Sequence, residues 1–142
     1  MREIRLHGRF GQPVGSLAGA LGKHALKQGK HVQIFSCFAA FRPGGPMDVV
    51  IRTDDQPIRE RSANSTNPDI VVVLDNSLFS SVDITKGLKT GGTVMALGVD
   101  SSILGPKAGD FNFVALDQYI AGNSMHDIET GLILSLESRQ LF

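Results

Sequence analysis

The 142-residue sequence predicts a doubly wound α/β domain, in which helices cover both faces of a mostly parallel sheet. Short segments with strand-like alternation or β-branched runs alternate along the chain with segments of helical spacing, the order typical of βα units. A glycine-rich turn over residues 8–15 joins the first strand to the first helix, as in α/β domains that present an anion or partner surface at a helix N-terminus. The length predicts a single domain over residues 1–142.

The N-terminal half begins with an alternating segment, in which Ile4 and Leu6 are separated by polar residues, and this pattern predicts a strand. Apolar residues at helical spacing follow Pro13, which suits the first turn of a helix, and Gly29 suits its C-terminal end. We expect residues 58–61 to form a hairpin with the strand before them, so the sheet is expected to be partly mixed. The elements predicted here are a strand over 2–7, a helix over 14–28, strands over 32–38 and 47–53, and a short polar strand over 58–61.

The C-terminal half contains a continuous run of β-branched residues over 70–74, which predicts a central strand buried on both faces. Apolar residues at helical spacing near the end of the sequence predict a final helix with Met125, Ile128, Leu132 and Leu136 facing inward. The remaining elements predicted in this half are a short helix over 82–88, strands over 92–98 and 111–116, and the final helix over 123–136.

Composition excludes several classes of function. Fourteen basic and fourteen acidic residues balance to zero net charge, which indicates neither a nucleic-acid nor a membrane surface. Cys37 is the single cysteine, so this chain cannot form an internal disulfide or supply four ligands to an iron–sulfur cluster. We expect neither a secretory signal nor a membrane span, and a cytoplasmic location. The four histidines lack ligand spacing and are expected at the surface or the core edge, so neither a metal site nor a catalytic residue is predicted.

The glycine-rich turn leaves its role open. Its glycines allow a ligand to approach the backbone, or they serve only a tight strand-to-helix connection. Phe10 stands where a dinucleotide-binding motif has its second glycine, which argues against that motif. Arg9 in this turn could hold a phosphate or carboxylate through two hydrogen bonds, or form a structural salt bridge or a contact to a partner subunit. Arg42, in a Pro- and Gly-rich loop, carries the same alternatives of a functional group or an ordinary turn residue.

Several short motifs together resemble one family. The opening His-Gly-Arg-x-Gly-Gln is similar to the His-Gly-Arg-Gly-Gly-Gln-Gly motif of the gamma subunit, or gamma domain, of 2-oxoacid:ferredoxin oxidoreductases, with Phe10 and Pro13 in place of two glycines. Further pieces of that family's pattern follow in the same order. The matching pieces are His7-Gly8-Arg9, Gly11-Gln12, Arg42-Pro43-Gly44-Gly45-Pro46, Val50-Ile51-Arg52 with Pro57-Ile58-Arg59, and residues 68–75 and 88–94.

The resemblance implies a Rossmann-like domain that is not catalytic alone. Such complexes oxidatively decarboxylate a 2-oxo acid, transfer the acyl group to coenzyme A and pass electrons to ferredoxin or another acceptor. It implies that thiamine pyrophosphate and iron–sulfur clusters are held by partner alpha, beta and ferredoxin-like delta subunits. The resemblance further implies that this chain packs on the catalytic subunits and helps to position coenzyme A. The candidate contact residues are Gly8, Arg9, Gly11, Gln12 and Arg42. The alternatives are a stand-alone nucleotide- or phosphate-binding α/β module and a purely structural subunit.

Overall fold

A computed structural model describes residues 2–9, 14–37, 46–58, 67–80, 82–107, 109–116 and 125–138 of the chain. These residues form a six-stranded sheet with two α-helices and two 3-10 segments. The elements are β1 (Arg2–Arg9), α1 (Val14–Lys27), β2 (His31–Cys37), β3 (Pro46–Asp54), β4 (Ile70–Val73), the 3-10 helix Asn76–Ser80, β5 (Thr93–Ala96), the kinked 3-10 segment Ser101–Lys107, β6 (Asn112–Ala115) and α2 (Met125–Ser138).

The sheet is mixed, with the strand order β2-β3-β1-β4-β5-β6. β3 runs antiparallel to both of its neighbours, whereas β1, β4, β5 and β6 are parallel to one another. The chain therefore leaves β1 toward one edge of the sheet and returns on the other side of β1 at β4. The carboxyl ends of β1 and β4 form the point where the strand order reverses, and ligands of open α/β sheets bind at such points.

Both α-helices pack on one face of the sheet. The stripe that α1 buries recurs every three to four residues, as the apolar spacing predicted. Gly22 lies in this stripe, and a Cβ there would come within 3.0 Å of Ile34 Cδ1, so the missing side chain lets α1 approach β2 closely. In α2, Leu132 and Leu136 are buried as predicted, and Ile128 is partly buried against the same core. The buried members of this core include Ile4, Leu6, Leu17, Leu21, Val49, Ile51, Ile70, Val72 and Met95.

The other face of β4 and β5 is covered by 3-10 segments and turns in the described part of the chain. The side chains that β4 and β5 direct to this face are buried by four apolar residues, Leu78, Ile84, Leu88 and Leu104. The helix predicted over 82–88 is wrong, because these residues form turns. The segment is too short to repay helix nucleation, and Gly87 has a φ of 78°, which ends any right-handed helix there.

The remaining expectations hold for most elements. The strands predicted over 2–7, 32–38, 47–53, 70–74, 92–98 and 111–116 are present with ends shifted by up to two residues, and residues 70–73 are buried on both faces. Pro57 and Ile58 lie outside any strand, and the rest of the polar strand predicted over 58–61 is outside the described residues. Within the described residues, neither α-helix has the length and hydropathy needed to cross a membrane.

Candidate functional site

The carboxyl ends of β1 and β4 place three polar side chains side by side. β1 ends at Arg9, and β4 leads directly into Asp75 and Ser77. The Leu74 N–H donates to the His7 carbonyl over 2.9 Å, which keeps the two strands together up to this point. The site therefore lies where the strand order reverses, and α1 begins a few residues after Arg9.

Arg9 is held by the segment that follows β4. Its Nε and Nη2 atoms donate to Ser77 Oγ over 3.1 and 2.9 Å. Its Nε atom also lies 3.6 Å from Asp75 Oδ2, and the Arg9 and Asp75 side chains are 25% and 24% exposed. The guanidinium is thus oriented by two groups while it remains accessible to a ligand or partner. The salt bridge that the sequence allowed as the structural alternative for Arg9 is present.

Asp75 orients the serine that binds Arg9. Ser77 N and Ser77 Oγ donate to Asp75 Oδ1 over 3.0 and 2.5 Å, so the serine oxygen turns its lone pairs toward Arg9. The kinked 3-10 segment after β5 begins in the same way, since Ser102 N donates to Asp100 Oδ1 over 2.9 Å and Ser102 Oγ donates to the same atom. These hydrogen bonds lower the pKa of Asp100. The same Asp-x-Ser cap therefore follows two neighbouring parallel strands, β4 and β5.

Asn76 and Gly98 extend the site toward β5. Asn76 Nδ2 donates to the Leu97 carbonyl over 3.4 Å. Gly98 has a φ of 73°, and a Cβ at that position would lie 2.9 Å from Asn76 Nδ2. The sequence analysis placed Asp75 in a matching family motif, but it did not assign Asp75, Asn76, Ser77 or Gly98 to the site. The signal that could have found the first three is an Asp-x-Ser directly after a buried strand.

The residues predicted from the sequence are only partly assembled by the described structure. Arg9 stands in the site, whereas Gly8 is buried within β1 opposite Met47 of β3. Gly11, Gln12 and Arg42 lie outside the described residues. The described residues hold no group of three or more His, Cys, Asp or Glu side chains suited to a metal ion.

A second cluster of polar side chains lies on the face of the sheet opposite α1. Arg5 Nε donates to His7 Nε2 over 2.8 Å, and Arg5 Nη2 donates to the Ile84 carbonyl over 2.7 Å. His7 is 5% exposed and is therefore buried rather than at the surface or the core edge. Burial, assisted by the Arg5 charge, lowers the pKa of His7 from 6.5 to about 3. Burial raises the pKa of Asp48, which stands opposite His7 in the sheet.

Glu3 and Arg52 form a buried ion pair in the same cluster. Arg52 Nε donates to Glu3 Oε1 over 2.8 Å. The Arg52 side chain is 1% exposed and the Glu3 side chain is 5% exposed. The Arg52 guanidinium lies 5.1 Å from the centre of the Phe35 ring. Arg52 Nη1 is buried without a hydrogen-bond partner. These contacts stabilise the packing of β1 on β3 and do not reach the Arg9 site.

The family model described as pyruvate ferredoxin/flavodoxin oxidoreductase matches residues 3–119. The chain belongs to this family. The match runs from the second residue of β1 to just past β6 and so includes nearly all of the described sheet. The family resemblance drawn from the sequence motifs is thereby confirmed.

The curated relatives with high identity are named as gamma subunits or PorC subunits. The common gamma subunit of the pyruvate/ketoisovalerate oxidoreductases of Thermococcus kodakarensis is 48% identical over 95 residues, which cover 67% of this chain and 51% of that subunit. The pyruvate synthase subunit PorC of Methanothermobacter thermautotrophicus is 45% identical over 95 residues, which cover 67% of this chain and 52% of the relative. The chain spans about half the length of the curated relatives it matches.

Solved structures of this family share the fold. The PORC subunit of the Thermotoga maritima pyruvate oxidoreductase superposes with a TM-score of 0.57 at 38% identity, over 70% of this chain and 51% of that one. The 2-oxoglutarate:ferredoxin oxidoreductase of Magnetococcus marinus superposes over 97% of this chain and 27% of its own chain, with a TM-score of 0.63 at 12% identity. The mixed sheet with helices is therefore a fold of these oxidoreductases, and the expected α/β class is confirmed.

Proposed function

We propose that this chain is a gamma-type subunit of a 2-oxoacid oxidoreductase complex and that residues 1–142 form one gamma-type domain. The complex oxidatively decarboxylates a 2-oxo acid, transfers the acyl group to coenzyme A and passes the electrons to ferredoxin or a similar acceptor in the cytoplasm. Alpha, beta and ferredoxin-like delta subunits are its partners. The observation that carries this proposal is the family match over residues 3–119, together with gamma-type relatives at 45–48% identity.

The redox cofactors belong to the partners in this proposal. An iron–sulfur cluster takes about four cysteine ligands, and this chain has one cysteine. We therefore assign the thiamine pyrophosphate and the clusters to the other subunits, and no catalytic residue to this chain.

The Arg9 site fits a contact to coenzyme A. Coenzyme A carries phosphate groups, and a guanidinium binds phosphate through paired, charge-assisted hydrogen bonds. Arg9 is a quarter exposed, oriented by Ser77 and placed at the switch point where α/β sheets bind ligands. We assign Gly8, Gly11, Gln12 and Arg42 to the same contact because they share the family motifs with Arg9.

The test is purification of the tagged full-length chain from its native cells under gentle conditions, with native mass spectrometry and iron and thiamine pyrophosphate analysis. The proposal expects larger subunits that carry both cofactors, and coenzyme A-dependent oxidation of a 2-oxo acid by the purified assembly. Recovery of the chain alone, without those cofactors, would overturn the proposal. A stand-alone nucleotide-binding module would instead be recovered alone, and nucleotides would raise its melting temperature.

One observation favours the purely structural subunit as a second candidate. The carboxylate of Asp75 lies 3.6 Å from Arg9 Nε, so part of the guanidinium charge is already offset within the chain. In that candidate, Arg9 holds the ends of β1 and β4 together and touches no ligand. The Michaelis constant for coenzyme A separates the two candidates, because only a ligand contact changes it when Arg9 is replaced.

A further inference from the structure

The outer side of α1 and β2 carries an open groove that the proposed function does not use. Its volume is about 390 Å3. Leu26 and Ile34 line it and are 59% and 44% exposed, which makes them two of the four large hydrophobic side chains exposed in the described residues. Exposed apolar side chains that adjoin in one groove mark a surface for a partner. The groove is lined by Gly19, Gly22, Lys23, Leu26, Val32 and Ile34.

The strand beside the groove has an edge that is open to pairing. β2 is the outermost strand, and within the described part of the sheet its neighbour is β3 alone. Residues 31–37 contain no Lys, Arg, Asp, Glu or Pro, the residues with which proteins protect a sheet edge from further strands. Seven residues of β2 pair with β3, and among the residues that the structure describes no strand pairs with the opposite side of β2. An extended segment of another protein can add to such an edge as a further strand.

The charge around the groove selects the kind of partner. Residues 14–37, which span α1 and β2, contain three Lys residues and no Asp or Glu, although the whole chain is neutral. Lys23 and Lys27 are exposed on α1 on either side of Leu26 in sequence, and Lys30 is paired with Asp55 over 3.0 Å. A second copy docked here would bring like charges together, whereas carboxylates would be attracted. The charge pattern therefore favours an acidic partner over a second copy of this chain.

We propose that the groove between α1 and β2 binds an acidic segment of a different polypeptide. That segment adds as a strand to the edge of β2, inserts an apolar side chain between Leu26 and Ile34, and directs carboxylates toward Lys23 and Lys27. The surface is separate from the Arg9 site, which lies at the carboxyl ends of β1 and β4. The inference rests on the proposed function only in that the partner is another subunit of the same assembly.

Site-specific photocross-linking in the assembled complex tests the proposal. The photoreactive residue p-benzoylphenylalanine replaces Leu26 in the full-length chain, and the assembly is purified from its native cells and irradiated. The matched control replaces Ile103, which is 39% exposed and belongs to the opposite face of the sheet. We expect position 26 to cross-link to a peptide of another subunit that carries net negative charge. A cross-link to a second copy, a link to a neutral or basic segment, or no link from position 26 would overturn the proposal.

Charge reversal supplies a second readout. We expect Lys27→Glu to weaken binding of the purified chain to the remaining subunits about tenfold at low salt, and the loss to shrink as salt rises. Lys86→Glu makes the same change at an exposed lysine in the turns that cover the other face, and binding should be unchanged. Equal effects of the two variants, or none, would contradict the proposal. If the assembly is recovered intact but the cross-link or the charge-reversal effect is missing, the groove proposal fails and the proposed function stands. If the chain is recovered alone, the proposed function itself fails.

Discussion

Arg5 donates from Nε to Nε2 of His7 over 2.8 Å, although both side chains are basic. The two residues are two apart in β1 and therefore lie on the same face of the sheet. The acceptor nitrogen of His7 is one that would carry a proton in the imidazolium form, so this hydrogen bond requires the neutral ring. The geometry and the lowered pKa of His7 thus have one cause, a histidine enclosed next to a permanent cation.

The neutral His7 predicts a loss of stability in acid. Its pKa falls from 6.5 to about 3 in the folded protein, so the unfolded chain binds more protons between these values. Stability therefore rises with pH across that window and decreases as the pH falls below the unfolded pKa. We expect the free energy of unfolding to be about 2 kcal/mol lower at about pH 5 than at about pH 7.5, as measured by urea denaturation.

The variant His7→Gln isolates this contribution. Its stability should change little over the same pH range, whereas His31→Gln, at an exposed histidine, should keep the full acid sensitivity. The pKa of Asp48 is raised, so stability from this carboxyl falls as the pH rises just above its ordinary value of 3.8, the opposite direction. The contribution of His7 is therefore the difference between the wild type and His7→Gln. Parallel pH profiles for these two proteins would rule it out.

Removing only the carboxylate of the Glu3–Arg52 pair should lower the free energy of unfolding more than replacing both residues with apolar ones. Glu3→Ala leaves the 1%-exposed Arg52 without its carboxylate, and we expect a loss of about 3–5 kcal/mol in the free energy of unfolding. The double variant Glu3→Leu/Arg52→Met removes both charges and should be more stable than Glu3→Ala. Asp55→Ala, which breaks an exposed pair with Lys30, should cost at most about 1 kcal/mol. A Glu3→Ala loss as small as that of Asp55→Ala would contradict the expectation.

Gly92 and Gly19 should respond in opposite directions to alanine. A Cβ on Gly92 would lie 2.7 Å from Leu88 Cδ1, 2.8 Å from the Lys89 carbonyl oxygen and 3.0 Å from the Asp69 carbonyl oxygen. Because backbone oxygens yield little, Gly92→Ala should destabilise the protein by about 1–3 kcal/mol. Gly19 lies within α1 with nothing within 4 Å of such an atom, so Gly19→Ala should stabilise it by about 0.5–1 kcal/mol. Thermal denaturation of both variants would show the sign of each effect.

Replacement of Arg9 should affect coenzyme A more than the rate of turnover. In the assembled complex we expect Arg9→Ala to raise the Michaelis constant for coenzyme A about tenfold, the value of one charge-assisted contact, with kcat changed less than about twofold. Ser77→Ala keeps the charge but removes the acceptor of both Arg9 hydrogen bonds, and should give a smaller rise of the same kind. Arg42→Ala provides a comparison at a second candidate residue. An unchanged Michaelis constant in Arg9→Ala would favour the purely structural subunit.

Local pattern was enough to predict most strands and both α-helices. The alternation around Ile4, the apolar spacing of α1 and the β-branched run of β4 each depend on a few neighbouring residues. The same reasoning gave a wrong prediction for residues 82–88. The apolar residues of this segment pack on one face of β4 and β5, and they do not form one side of a helix. Their positions reflect contacts with a sheet that is remote in sequence.

The sequence by itself determined the order of the six strands and the two α-helices, the family, and the presence of Arg9 at the first strand-to-helix turn, since each is encoded in short runs of consecutive residues. Only the tertiary structure decided the pairing of β1 with both β3 and β4, which joins residues about 45 and 66 positions apart in sequence. That pairing sets Asp75 and Ser77 against Arg9 and encloses His7 beside Arg5. The physical reason is that strand register and the burial of charged groups depend on long-range packing, which no local periodicity records.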